Sequence, residues 1–221
     1  MRLFLSALTK YLLGLILVCL LLFLPAGTLT YGNGWLFIGL LFIPMLILGA
    51  VLLYRSPDLL AKRLNAKETQ ARQKGVVALS GLLFLAGFVV AGLDHRFGWS
   101  HMPNWVVIAA SVVLVVSYGF YGEVMRENAY LSRTIEVQEG QTVVDTGLYG
   151  IVRHPMYAVT VWLFLAIPVV LGSWWSLLCF LPYIPVLVMR ILNEESVLEK
   201  ELSGYAAYKK RIKYRLVPYI W

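Results

Sequence analysis

Charge is scarce in this chain: Asp, Glu, Lys and Arg together make up 14% of its 221 residues. With 60% hydrophobic residues and a mean hydropathy of +0.75, that scarcity places the chain among polytopic membrane proteins. Cysteine is limited to Cys19 and Cys179, each isolated in an apolar run. That argues against a disulfide framework or a cysteine metal site and leaves two buried free thiols. No internal repeat, low-complexity run, helix-turn-helix, zinc-finger or RNA-binding pattern is present. The N-terminal segment has a basic start but no small-residue cleavage site, so it reads as a retained span rather than a signal peptide.

What the chain does have is long apolar runs. A helix crosses a bilayer with roughly 20 apolar residues. Tyr11–Thr30, Trp35–Tyr54, Val76–Leu93 and Trp105–Gly122 each fit. Tyr157–Leu171 and Trp175–Met189 are shorter and separated by Gly172-Ser173-Trp174, the pattern of a tight helical hairpin. The expectation is an all-α polytopic membrane protein with about six transmembrane helices, or five if the hairpin is only partly inserted. With the N-terminus inside, Arg96 is the one outer basic residue of 19. Lys67, Arg72, Arg133 and the others fall on the inner side, as the positive-inside rule requires, giving an N-in, C-in orientation. The net charge of +7 then serves topology and anionic lipid and needs no nucleic acid.

The chain divides by character into a four-span region, 1–122, and a polar, chemistry-bearing region, 123–221. Within the first, the inner loop Arg55–Gly75 opens with Ser56-Pro57-Asp58 and carries Leu59, Leu60 and Leu64 on one face, which predicts a surface helix along the inner leaflet. Within the second, Glu123–Ile135 is expected to prolong the fourth helix. Glu136–Asp145 is expected to be extended, and Ile191–Lys210 to form an amphipathic helix interrupted at Gly204. The tail Tyr214–Trp221 is aromatic and basic, suited to the membrane interface.

Two polar clusters stand out. The first is Gly147-Leu148-Tyr149-Gly150-Ile151-Val152-Arg153-His154-Pro155-Met156-Tyr157. Its glycines permit a compact turn and Pro155 is placed to begin a helix. The free amides and dipole of that helix start, with Arg153 beside them, would attract a carboxylate, and Tyr149 and Tyr157 offer faces to a base or a sulfonium. A membrane-insertion turn with a snorkelling arginine is the alternative. The second cluster is Arg190, Glu194 and Glu195 at the end of the last span. Arg190 and Glu194 are four apart and can form an ordinary ion pair. Equally, the glutamates can accept ribose hydroxyls while Arg190 holds an anionic substrate. Asp94, His95 and His101 lie in an outer loop, too few to read as a metal site.

The two clusters are linked by Gly-Leu-Tyr-x-x-x-Arg-His-Pro-Met-Tyr, a hydrophobic hairpin, Arg-Ile-x-x-Glu-Glu-x-x-Leu and Gly-Tyr-x-x-Tyr-x-x-Arg. This series resembles the isoprenylcysteine carboxyl methyltransferase family and the related phospholipid methyltransferases, over about residues 123–221. The resemblance implies a multi-helix membrane enzyme that binds S-adenosylmethionine at its cytosolic face without a Rossmann domain. It also implies the positions that hold the cofactor: Gln138, Gln141, Thr142, Val143, Val144, Tyr149, His154, Pro155, Met156, Tyr157 and, closing the site, Glu194. Arg190 is implied as the substrate residue, so Arg190 and Glu194 form the catalytic pair. The expected acceptor is lipophilic, either the carboxylate of an isoprenylcysteine-like molecule or a phospholipid amine. A carboxylate is already ionised and needs no base, whereas an amine would recruit Glu195 or His154. A non-catalytic transporter or scaffold is the remaining alternative. The compact outer loops suit a bacterial inner membrane, or the endoplasmic reticulum if the source is eukaryotic.

Overall fold

The computed structural model describes residues 1–65, 71–132 and 134–221. Lys67, Arg133 and the side chain of Arg72, counted above among the inward cations, lie outside the described residues. The described chain is helical and contains no strand. Its helices are α1 (Arg2–Ala26), α2 (Gly32–Arg55), α3 (Pro57–Leu64), α4 (Ala71–Phe97), α5 (Asn104–Glu127), α6 (Pro155–Val170), α7 (Trp174–Phe180), α8 (Tyr183–Glu201) and α9 (Tyr205–Arg211). Five stretches are long and apolar enough to cross a membrane: α1, α2, α4, α5 and the combined α7–α8, 28 residues from Trp174 to Glu201. This is the lower of the two span counts that the sequence allows. The reason is length, since α6 has 16 residues and reaches about 24 Å at 1.5 Å per residue, short of a hydrocarbon core of roughly 30 Å.

The helices bury one another along a seam that contains Leu22, Phe37, Phe88, Leu114, Ile167 and Phe180. Their outer faces stay apolar, with Leu13 and Ile43 each 61% exposed, as lipid-facing surfaces require. Cys19 and Cys179 are free thiols, each partly exposed rather than buried.

Three tight connections meet at one end of the bundle. Tyr31 donates its hydroxyl to the Leu171 carbonyl at 2.5 Å and stacks on His95, with ring centroids 4.1 Å apart. Asp94 is buried and accepts from the Ser100 amide at 2.7 Å, the Ser100 hydroxyl at 2.6 Å and the Ser173 hydroxyl. The other end carries α3, residues 128–132 and 134–154, and everything after Glu201.

At that second end the structure corrects three expectations. Helix α5 stops at Glu127 rather than running to Ile135. Asn128 is extended and its side-chain oxygen accepts the Tyr130 amide at 2.9 Å, a local bond that competes with helix continuation. The surface helix is confined to Pro57–Leu64, and Leu59 packs with Val124, Met125, Tyr149 and Met156 rather than resting on lipid. The segment expected as a separate helix from Ile191 is continuous with the last span. Helix α8 carries Arg190, Glu194 and Glu195 on one rod and ends at Glu201. The break falls at Gly204, where it is expected, with φ +84°.

Candidate active site

The Gly147–Tyr157 segment folds as one 3-10 turn (Gly147–Gly150) that feeds α6, with Pro155 as the first helical residue. Gly147 has φ +54°, and a Cβ built on it would lie 1.6 Å from a Glu127 carboxylate oxygen. No other residue combines that backbone conformation with so close an approach. Glu127, the last residue of α5, uses its carboxylate to accept the Leu148 amide at 2.9 and 3.2 Å. The turn is therefore gripped from the end of the preceding span.

The start of α6 differs from expectation. The amides of Arg153 and His154 are donated to the carbonyls of Tyr214 and Arg215, both at 2.9 Å. These backbone donors are thus used by the C-terminal tail, which docks here instead of only lying at the interface. Arg153 does not supply a loose positive charge either. It is buried, its Nε donates to Glu195 Oε1 at 2.7 Å, and its Nη1 donates to the carbonyls of Ile212 and Lys213 at 2.7 and 2.8 Å.

Glu195 gathers further partners: Arg215 Nε at 3.0 Å, His154 Nε2 at 3.3 Å and Lys209 Nζ at 3.8 Å. Glu195 is only 2% exposed. The adjacent glutamates that look alike in sequence are thereby separated. Successive residues on a helix point about 100° apart, and Glu195 faces the tail while Glu194 faces a cavity. Neither Glu195 nor His154, engaged with each other, stands ready as a base for an amine.

On the cavity side, Tyr157 donates its hydroxyl to Glu194 Oε2 at 2.5 Å and accepts Arg190 Nε at 2.9 Å. The Arg190 guanidinium sits 6.0 Å from the Tyr157 ring centroid. The two residues that the sequence offers as a simple ion pair are bridged through the first tyrosine of α6. The cavity beside them encloses about 1060 Å³. Gln141, Thr142, Val143, Val144, Tyr149, His154, Met156, Tyr157, Arg190 and Glu194 all line it. Gln138 and Pro155 do not. The Gln138 side chain donates to the Tyr130 carbonyl at 2.7 Å, one layer behind Gln141, and Pro155 is buried at the helix start. Beyond Arg190 the wall becomes apolar, passing Leu163, Phe164, Ile167, Leu187 and Phe84 between the spans.

Sequence reasoning missed several lining residues: Tyr130, Ser132, Thr134, Tyr205, Tyr208 and, from α3, Arg63. The Tyr-x-x-Tyr spacing of Tyr205 and Tyr208 was the available signal, since residues three apart share a helix face. Tyr208 donates to the Tyr149 carbonyl at 2.8 Å. Tyr205 is 4% exposed, and its hydroxyl has no hydrogen-bond partner among the described residues. Burial raises its pKa above the ordinary tyrosine value, so it remains a neutral donor. A buried orphan hydroxyl is costly unless a ligand satisfies it. An unmet hydroxyl, a carboxylate and several aromatic faces in one cavity fit a nucleoside-bearing cation such as S-adenosylmethionine.

Residues 99–204 match the phospholipid methyltransferase family. The solved structure of a eukaryotic intramembrane Ras methyltransferase, isoprenylcysteine carboxyl methyltransferase, superposes with a TM-score of 0.56 at 16% identity. That likeness covers 97% of this chain and 77% of that one. The family match covers just under half of the chain, and the likeness to the solved methyltransferase is one of fold. A mouse (Mus musculus) delta(14)-sterol reductase is 32% identical over 99 residues, 40% of this chain. The chain spans only 22% of the length of that reductase. Within the matched residues fall the motif loop, the hairpin and the Arg190–Glu195 turn of α8.

Proposed function

We propose that the protein is an S-adenosylmethionine-dependent methyltransferase acting on the polar head of a lipophilic acceptor, foremost the carboxylate of an isoprenylcysteine-like molecule. The observation that carries this reading is the Arg190–Tyr157–Glu194 bridge, set where the polar part of the cavity meets its apolar part. When bound, S-adenosylmethionine supplies a methyl group on a positively charged sulfur. Glu194 and Tyr205 are the residues that would hold it, with Tyr149 and Tyr157 as aromatic walls and the Gln141–Val144 strip as its edge. Arg190 neutralises and orients an anionic acceptor against that wall, and Tyr157 fixes the guanidinium and the carboxylate relative to each other. Positioning and exclusion of water suffice for a carboxylate acceptor, which needs no proton removed.

A second reading, methylation of a phospholipid amine, is favoured by the family match itself. It needs a group to take the amine proton. Since Glu195 is committed to Arg153 and Arg215, Glu194, which lines the cavity beside Tyr157 and Arg190, is the carboxylate for that role. The similarity to a sterol reductase adds a third outcome to be checked, hydride transfer to a lipid. Placing the site at the cytosolic face follows the basic-residue bias of the sequence and supports access to a water-soluble methyl donor.

The test is calorimetric. Purified protein in detergent binds S-adenosylhomocysteine, and Arg190→Ala lowers turnover of labelled methyl into prenylcysteine analogues or phospholipids at least tenfold, about 1.4 kcal/mol of barrier. The same variant keeps its affinity for S-adenosylhomocysteine within about threefold. Well-folded wild type that ignores S-adenosylhomocysteine but oxidises a reduced nicotinamide in the presence of sterol would replace this reading with reduction.

A further inference from the structure

Arg63 lines the same cavity, and it comes from α3, outside the segment the family match covers. It lies four residues after Leu59 and three after Leu60, so it shares their inward helix face, and those leucines are buried. The Arg63 guanidinium contacts the Tyr121 hydroxyl, lies 5.5 Å from the Tyr121 ring centroid and reaches the Ser132 carbonyl at 3.4 Å. All of these partners are neutral.

Other arginines near the site are compensated. Arg153 pairs with Glu195, Arg215 with the same carboxylate, and Arg211 with Asp145. Among the described residues, no carboxylate lies within ion-pair distance of Arg63. Glu136, which also lines the cavity, is engaged by the Thr134 hydroxyl at 2.9 Å and the Ser132 hydroxyl at 3.4 Å. A part-buried guanidinium beside apolar walls, held among the described residues by dipoles, lacks there the counter-charge that makes such a cation inexpensive to desolvate. The C-terminal dipole of α3 offsets only a fraction of it.

We infer that Arg63 and Tyr121 form an anion subsite for the head group of the lipid acceptor, a carboxylate or a phosphate, in the cavity that Arg190 also lines. The calling of that lipid an acceptor rests on the methyltransferase reading above; the preference for an anion does not. Lys10 reinforces the sign of this wall. It lines the cavity and donates to the Leu64 carbonyl at 2.6 Å, the last residue of α3. The subsite would let the enzyme choose acceptors by head-group charge as well as by tail.

The test is binding, which needs no turnover. The full-length protein in detergent is titrated with N-acetyl-S-farnesylcysteine, dioctanoylphosphatidic acid and, as the uncharged control, dioctanoylglycerol, each followed by native mass spectrometry. Arg63→Gln weakens the anionic probe that matches the natural head group at least tenfold and leaves dioctanoylglycerol within twofold. Arg63→Lys recovers part of the loss. Whichever anionic probe responds identifies carboxylate or phosphate as the ligand. Equal weakening of all three probes, or a fall in thermal stability that Arg63→Lys does not repair, makes Arg63 a strap between α3 and α5 and overturns the inference. Unchanged binding of both anionic probes overturns it too. Failure of S-adenosylhomocysteine to bind wild type would remove the methyltransferase reading while leaving these titrations interpretable.

Discussion

The adjacent glutamates of α8 should fail in opposite ways. Glu195→Gln keeps the shape of the side chain and removes its charge, leaving Arg153 without a counter-ion in a site where both side chains are 3% exposed. Removing one partner of a buried ion pair costs about 3–5 kcal/mol. Two discounts apply. The Arg153 Nη1 keeps its carbonyls from Ile212 and Lys213, and the Arg215 and Lys209 side chains are 23% and 32% exposed, so their loss adds little. The low end, about 3 kcal/mol, is the figure to expect. At about 2–4 °C per kcal/mol for a chain of this size, Tm falls by about 6–12 °C. Glu194→Gln keeps an oxygen that accepts the Tyr157 hydroxyl at this part-buried site, and Tm stays within about 2 °C by the same scale. Its effect appears instead in S-adenosylhomocysteine affinity, down about tenfold, the equivalent of ~1.4 kcal/mol. Both quantities can be read on one detergent sample, Tm from the fluorescence of the seven tryptophans and affinity by calorimetry. A Glu195→Gln protein that melts within 2 °C of wild type would refute the division of roles, as would a Glu194→Gln protein that loses stability and keeps its affinity.

Two further outcomes follow from features at opposite ends of the bundle. Gly147→Ala must expel Glu127 from the motif turn and should weaken S-adenosylhomocysteine binding at least about tenfold. Gly140→Ala is the comparison, since it also has positive φ but open space around it and should cost only backbone strain, about 1 kcal/mol. Asp94→Ala strips the acceptor from Ser100 and Ser173 and should lower stability by about 3 kcal/mol, read as a drop in Tm. S-adenosylhomocysteine affinity should stay within twofold, because no site residue touches that end; a parallel loss of binding would show that the two ends are coupled.

The sequence makes the helices legible because their apolar runs leave no other use for so much Leu, Val and Ile. It makes the motif loop legible because Gly147, Gly150 and Pro155 punctuate it. The Gly204 break is legible for the same reason. Local pattern does not reveal the partners of those residues. Glu127 is 20 residues before the turn that it grips, and the tail carbonyls of Tyr214 and Arg215 return some 60 residues to meet Arg153 and His154. Nothing in the pair Glu194-Glu195 tells which one faces the cavity; the rotation of α8 decides it. Arg63 reads as one more inward cation of a topogenic loop until α3 is seen folded over Tyr149. The end of α5 is not legible in the sequence, because the Asn128 side-chain bond to the Tyr130 amide outweighs the apolar residues that follow it.

A cavity that is polar at the bundle end and apolar between the spans also has a kinetic meaning. On the proposed methyltransferase reading, an acceptor that reaches Arg190 along the apolar wall never enters bulk water, so its supply is set by its mole fraction in the surrounding film and not by its molarity. Adding inert detergent at constant acceptor should slow the enzyme just as removing acceptor does, while the methyl donor remains governed by its concentration in solution. Two substrates would thus arrive through spaces of different dimensionality, one searching a surface and the other a volume.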